Sequence, residues 1–504
     1  MSRTRSPNMP HRTTLALSVV LALGGCAVGP DFKSPPPPAV ADAAHPYTPV
    51  QMPAQTASAP GAGGAAQHLA LGQDIPAQWW TMFHSEPLDQ LIRSALTQSP
   101  TLASAQAALR QAQETYEADS GRKVLPAVNG QLGAQRERLS AAEGGIAGNN
   151  VFSVYNASVN VSYTIDAFGA TRRELEGLQS AIDYQRYQVE AAYLSLTTNL
   201  VTTAIQEASL RAQLQATRDV VDAEQKSLDL VQKQAKLGAI ARSTVLSQQA
   251  QLAQTRAALP GLEKALEQTR HQLAVYAGRL PGDGGLPEFN LDSLQLPVDL
   301  PVSLPSALVR QRPDIRASEA LLHEASAQVG VATANLYPQI TLSGSAGSQA
   351  LKADKLFSGG TFAWSVGAGL LQPIFNGGAL QATKRAAIAA YDQAEAQYRQ
   401  TVLNAFLNVA NTLRALDRDA EALAAQAEAE SLARQQFDLV TRQYQLGAVS
   451  YLGLLDSQRT YQQTRVALVQ AQASRFADSA ALFQALGGGW WNREALADIS
   501  TPAQ

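Results

Sequence analysis

The sequence predicts a mixed α/β membrane protein built by internal duplication, with four membrane-length strands and very long coiled helices in each chain. A segment that occurs twice, pairs of strictly alternating stretches, and helical tracts too long for a globular core carry this reading. The stretch Asp229-Leu230-Val231 through Leu237-Gly238-Ala239 to Thr255-Arg256 returns as Asp438-Leu439-Val440, Leu446-Gly447-Ala448 and Thr464-Arg465. The offset is constant at about 209 residues and roughly 14 of 31 aligned positions are identical, which marks one duplicated body and not a solenoid. Two further echoes agree: Phe168-Gly169 with Phe375-Asn376-Gly377, and Ser99-Pro100-Thr101-Leu102 with Arg312-Pro313-Asp314-Ile315.

The strands follow from alternation. Tyr155, Ala157, Val159, Val161, Tyr163 and Ile165 are separated by Asn156, Ser158, Asn160, Ser162 and Thr164, a period of two with one apolar and one polar face. Val128, Gly130 and Leu132 alternate with Asn129 and Gln131, Ile340 and Leu342 with Thr341 and Ser343, and Trp364, Val366, Ala368 and Leu370 with small residues. Each run is about 10 to 14 residues, long enough to cross a bilayer when tilted. Tyr155, Val159, Val161, Tyr163, Trp364 and Val366 are the lipid-facing candidates. Gly-rich loops, Glu143 to Asn150 and Ser358 to Gly360, connect each pair of strands at the cell surface. Four strands cannot close a barrel and lipid does not tolerate an open edge, so several copies must share one. The smallest closed arrangement beyond eight strands is three chains giving twelve.

The helices follow from length and spacing. A shorter one begins at Ser85-Glu86-Pro87, suited to a first turn, and runs to about Arg122, with a counterpart from Ser306 to Leu336. Longer tracts run from about Thr171 to Lys236 and from about Ala379 to Gln445; about 65 residues at 1.5 Å each extend roughly 100 Å. Leu175, Ile182, Val189 and Leu196 fall seven apart, as do Val402, Val409 and Leu416, the spacing of a left-handed coiled seam. Gly238 and Gly447 interrupt these tracts, and further helices follow, Arg242 to Gly278 and Tyr451 to Gly487. With Ala and Gln abundant and Phe, Trp and Met sparse, the helices are expected to pack through small residues and not around a bulky core.

The N-terminus supplies an address. Arg3, Arg5, His11 and Arg12 precede an apolar run from Leu15 to Leu23, too short to span a bilayer, as in a secretory signal peptide. It ends in Leu23-Gly24-Gly25-Cys26, which resembles the bacterial lipoprotein processing box, with Cys26 the lipidated first residue of the mature chain and the only cysteine present. Ala27 is not the aspartate that retains such lipoproteins in the inner membrane, so the implied location is the outer membrane of a Gram-negative cell. Residues 33–66, with Pro35 to Pro38, read as a tether that cannot fold alone.

Composition excludes other classes. The net charge is −3, so no basic surface invites nucleic acid; with six scattered histidines and no phosphate-cradling loop, neither enzymatic chemistry nor a metal or other cofactor is expected.

These residues resemble the TolC-like outer-membrane factors of tripartite efflux pumps, in the lipoprotein branch typified by OprM and NodT. The motifs are Cys26-Ala27-Val28-Gly29-Pro30-Asp31, Trp79-Trp80, Arg312-Pro313-Asp314-Ile315, Tyr337-Pro338, Pro373-Ile374-Phe375-Asn376-Gly377-Gly378, Tyr444-Gln445-Leu446-Gly447 and Leu486-Gly487-Gly488-Gly489-Trp490-Trp491. The resemblance implies a homotrimer: a twelve-stranded transmembrane β-barrel, four strands per chain, continued by a long periplasmic α-helical coiled-coil barrel. It also implies a passive conduit for drugs or other small molecules, joined through a periplasmic adaptor (membrane fusion) protein to an inner-membrane transporter of the resistance-nodulation-division (RND) class. The expected organisation is a signal peptide (1–25), lipidated N-terminus and tether (26–78), first repeat (79–280), equatorial linker (281–305), second repeat (306–487) and equatorial tail (488–504). In the family, acidic residues at the position of Asp229 and Asp438, each nine residues before a glycine, help form the periplasmic aperture, whereas Gln426 and Ser431 stand where some relatives carry a tyrosine and an arginine.

Two other readings stay open on sequence. One is the same channel in a type I protein or peptide secretion system. The other is a lipid-anchored periplasmic coiled-coil scaffold, which leaves the alternating segments unexplained.

Overall fold

The computed structural model describes residues 27–38, 47–138 and 151–493. In chain order the elements are β1 (His68–Leu71), α1 (Glu86–Gln98), α2 (Pro100–Val124), β2 (Ala127–Arg138), β3 (Val151–Ile165), α3 (Ala170–Lys236) and α4 (Arg242–Tyr276). The second half adds β4 (Asp299–Val302), α5 (Pro305–Gln311), α6 (Pro313–Ala334), β5 (Gln339–Ala350), β6 (Phe362–Leu371), α7 (Ala379–Gln445) and α8 (Tyr451–Ala485). Contacts gather these into two compact units that interleave the repeats. The first takes the described residues up to Pro35, Ala108–Gln185 and Ala317–Arg399; the second takes Pro36–Ala107, Arg186–Arg316 and the chain from Gln400.

The duplication is visible in the backbone. Where sequence spacing predicts one helix from Glu86 to Arg122, the chain forms two, because Pro100 forces Ser99 into an extended conformation (φ −67°, ψ 118°). Pro313 does the same to Arg312 (φ −76°, ψ 125°), replacing the expected single helix from Ser306 to Leu336 with α5 and α6. The long helices also end alike: Gly238 (φ +73°) and Gly447 (φ +75°) take the left-handed conformation that closes a helix C-terminus. In both turns the glycine N–H donates three residues back and the next residue's N–H, Ala239 to Gln234 and Ala448 to Gln443, five residues back. A Cβ would have open space at either glycine, so backbone conformation and not crowding favours the residue there.

In the first unit a four-stranded antiparallel sheet has the order β2-β3-β5-β6. Of its connections, the expected Glu143 to Asn150 loop lies outside the described residues. β5 and β6 are joined through a short 3₁₀ turn at Ala353–Lys355.

In the second unit the sparse aromatics are concentrated and not absent from the core. Trp79, Trp80, Phe83, Phe289, Phe476 and Phe483 are all buried, with Trp79 stacked on Phe483 at 5.2 Å. The expectation of packing by small residues holds along the helices, where Ala204, Ala208, Ala405 and Ala480 are wholly buried, but not around this cluster. Residues 47–66, read as tether, also pack on the body. The Thr56 N–H donates to Gln67 O and the Gln67 N–H to Thr56 Oγ1, Gln67 Nε2 donates to Pro297 O (2.8 Å) and Ser479 Oγ (2.9 Å), and the buried Arg475 donates to Thr56 Oγ1 and Leu416 O. The parallel pairing of β1 with β4 extends this layer and was not foreseen, since four residues are too few to show a period.

Candidate functional site

The sheet register sorts side chains into rows that cross all four strands. Gly130, Val159, Ala346 and Trp364 make one row, and Val128, Val161, Gly344 and Val366 the next. Tyr155 pairs with Ala134 and Ala350, and Tyr163 with Leu342, on the same face. All six lipid-facing candidates therefore share one side. Leu132 (80% exposed), Trp364 (70%) and Val366 (80%) stand on it uncovered. Between these rows run Asn129, Asn160, Ser345 and Ser365, pointing to the opposite face, where the Ser345 and Ser365 hydroxyls are 2.8 Å apart. That face is polar but uncharged from Gln131 and Ser158 to Thr164 and Thr341. Beyond Ala134 the pattern reverses: Arg136 and Arg138 fall on the apolar side and Val154 and Phe152 on the polar one, which ends the apolar band. From Tyr155 to Tyr163 the band matches the roughly 9 to 11 tilted residues of a transmembrane strand. No helix among the described residues is long and apolar enough to cross a membrane.

Among the described residues β2 and β6 are the outer strands of this sheet, each with one unpaired edge. In hydrocarbon each unsatisfied backbone group costs several kcal/mol, so an apolar sheet with two free edges is incomplete as a single chain.

In the second unit, the ends of α3 and α7 carry the separate candidates Asp229 and Asp438. Asp229 on α3 is exposed and accepts a hydrogen bond from Gln225 Nε2 (2.9 Å), and Asp438 on α7 is exposed on its own helix. Below them lies a buried cluster that sequence reading missed. Glu224 accepts from Gln251 Nε2 (3.2 Å) and Thr255 Oγ1 (3.1 Å), its backbone carbonyl accepts from Gln248 Nε2 (3.0 Å), and Arg459 of α8 donates to Gln251 Oε1 (2.7 Å). Burial pushes the Glu224 carboxyl above the usual carboxylate range, opposed by the Thr255 and Gln251 hydrogen bonds and the Arg459 charge. The available signal was an acid inside the apolar seam Val220, Glu224, Leu228, Val231. The other repeat has Ala433 in that place, so the cluster is built once. Cys26 lies outside the described residues, and no group of three metal-ligating side chains occurs among those described.

A family model for outer membrane efflux proteins matches residues 91–279 and 304–488, two segments that overlap the expected repeats. The chain belongs to that family. This outer membrane efflux protein is 34% identical to the pyoverdine export outer membrane protein OpmQ of Pseudomonas aeruginosa, over 86% of this chain and 92% of the relative. It is 28% identical to the probable efflux pump outer membrane protein TtgC of Pseudomonas putida, over 97% and 99%. The solved outer-membrane channel OprN superposes with a TM-score of 0.82 at 27% identity, covering 92% of this chain and all of that one. The efflux protein thus has the duplicated α/β channel fold of the outer-membrane factors, whose trimers close one barrel from the four strands of each chain. It is an outer-membrane channel subunit with a large periplasmic part, a conduit in a tripartite pump with an adaptor and an inner-membrane transporter.

Proposed function

We propose that this channel exports small organic molecules delivered by an RND-class transporter, that Cys26 carries its lipid anchor, and that Asp229 and Asp438 line its periplasmic aperture. The observation that carries the conduit reading is the division of the sheet into an apolar face and a polar face that, from Gln131 to Thr341, is uncharged and built from small Ser, Gly and Asn side chains. Over that span the barrel lumen offers hydrogen bonds to water without a charged ring or a shaped pocket, so the barrel passes solutes by width and not by recognition. Relatives named for pyoverdine export and for toluene efflux support a cargo of this size and chemical breadth. The Tyr155 to Tyr163 face and the exposed Trp364 and Val366 are the surface we assign to lipid.

The scaffold reading has no use for a sheet with two unpaired outer strands. The deciding experiment pairs planar-bilayer conductance of the purified protein with growth of a channel-deleted host on toxic solutes. Stable conductance and restored tolerance are expected. Folded, membrane-inserted protein that neither conducts nor restores tolerance would overturn the proposal.

A further inference from the structure

The residues that follow Cys26 are seated, at positions 27–34, in a groove that the first unit builds for them. The Val28 N–H donates to Phe168 O (3.1 Å), at the junction where β3 gives way to α3. Gly29, at φ +102°, passes so close to α6 that a Cβ on it would stand 2.5 Å from the Gly330 Cα. The space a Cβ at Gly330 would need is filled by the Arg173 side chain (2.7 Å), and the space at Gly169 by Ala27 (2.6 Å). Gly29 thus lies backbone against backbone on Gly330, Gly169 makes room for Ala27, and Gly330 makes room for the Arg173 side chain that reaches the segment.

Polar contacts continue the seat. The Arg173 side chain is 6% exposed, and its two Nη atoms fork between Glu176 on its own helix (2.7 Å) and Asp31 of the segment (2.6 Å). Asp31 is otherwise 87% exposed, so its hydrogen bond to this buried cation is what orients it. Phe32 stacks on His323 at 4.2 Å with the rings 13° apart, and His323 Nε2 is held 2.8 Å from Glu176 Oε1. The Ser34 hydroxyl donates to the Glu319 carboxylate. The segment therefore carries backbone, charge and aromatic contacts in register over eight residues, which a free tether does not.

The groove opens beside the foot of the sheet. Phe168 and Tyr337, one after β3 and one before β5, stack there at 4.8 Å, the kind of aromatic pair found where a membrane meets water.

We propose that residues 27–34 are a docking strap, and that Gly29, Arg173 and His323 are positioning residues that place the acyl chains of Cys26 in lipid beside the periplasmic ends of β3 and β5. This rests on the lipidation reading and goes beyond it: the folded body, not the proline-rich tether, sets where the anchor enters. Acyl chains supply membrane affinity, while the strap holds them next to the strands that must insert. Because the groove is made from both repeats, through α3 and α6, it exists only once the first unit has folded.

The test uses the full-length protein purified from outer membranes in detergent, with mass spectrometry of the N-terminus and hydrogen exchange of residues 27–34. Gly29→Val and Asp31→Arg alter only the strap and leave the groove intact; Gly330→Leu displaces the Arg173 side chain that holds Asp31. The expected result is normal acylation in all three, with exchange of residues 27–34 accelerated about tenfold to hundredfold, the range for a lost charge-assisted contact. Slower conversion of the acylated chain to heat-resistant trimers should accompany it. In Cys26→Ser, protection of residues 27–34 should persist, because the body builds the groove. Unchanged exchange in Gly29→Val and Asp31→Arg, or loss of protection in Cys26→Ser, would overturn the strap. An unacylated wild-type chain would instead remove the lipidation reading and the anchor placement, while protection of residues 27–34 in that same chain would still decide the groove.

Discussion

Glu224 and Gln251 face each other across α3 and α4 with Oε1 and Nε2 3.2 Å apart, and Gln251 passes the link to Arg459 of α8. The carboxylate has one paired oxygen, while Oε2 is buried without a partner, a state that favours the protonated acid. Glu224→Gln should therefore be nearly neutral. Glu224→Ala removes the acceptor shared by Gln251 Nε2 and Thr255 Oγ1, which keep only the longer bonds between themselves, and should destabilise by about 1 to 3 kcal/mol. Thermal unfolding of the detergent-solubilised protein measures both, and an alanine variant as stable as wild type would make the cluster energetically idle.

Asp478 predicts a pH dependence. Burial, then the neighbouring Asp419, pushes its carboxyl up to about 7, with Arg475 opposing. The folded chain therefore binds more protons than the unfolded chain, whose aspartate titrates near 3.9. Stability should fall as pH rises between about 4 and 7, by at most about 4 kcal/mol from this group. Asp478→Asn should flatten that slope and leave the protein more stable than wild type at pH 8. A variant with the wild-type slope would move the titration to another group.

The parts legible in the sequence were those governed by period and duplication. Helix α7 begins and ends where spacing placed it, at Ala379 and Gln445, and β3 follows the alternation of Tyr155 to Ile165. The joints at Ser99 and Arg312 were missed because a proline at the first helical position is compatible with either a fresh start or a kink, and spacing alone does not choose. The Glu224 cluster and the seat of residues 27–34 depend on contacts between distant parts of the chain. Arg173 and Asp31 are 142 positions apart, and Gln251 and Arg459 are 208 apart. No local pattern encodes such pairs, although an acid in an apolar seam and a glycine beside a lipoprotein box were visible signs.

Val159 and Asn160 test the faces of the sheet. Val159 shares its row with Trp364, and Asn160 shares the next with Ser345 and Ser365. An arginine at Val159 should cost about 2 to 4 kcal/mol per protomer if the row lies near the bilayer midplane. At Asn160 the same charge meets water and should be tolerated. Yield of heat-resistant trimers compares the two directly, and equal yields would reject the assignment of faces.

The last prediction concerns the aperture. Asp229 and Asp438 hold equivalent places in the repeats, each exposed on a long helix nine residues before its closing glycine. Threefold assembly turns a pore-facing aspartate into a ring of three charges, which attracts cations and repels itself at short range. Asp229 differs in already holding a local hydrogen bond from Gln225, so its loss should act on helix packing more than on the field in the pore. In planar bilayers Asp438→Ala should reduce cation selectivity, whereas Asp229→Ala should raise conductance with selectivity kept. Raising the salt concentration should shrink the Asp438 effect, since about 8 Å of screening length at physiological salt falls to about 3 Å at 1 M. If both variants conduct and select as the wild type does, the constriction is formed by other residues and these two aspartates are solvated surface.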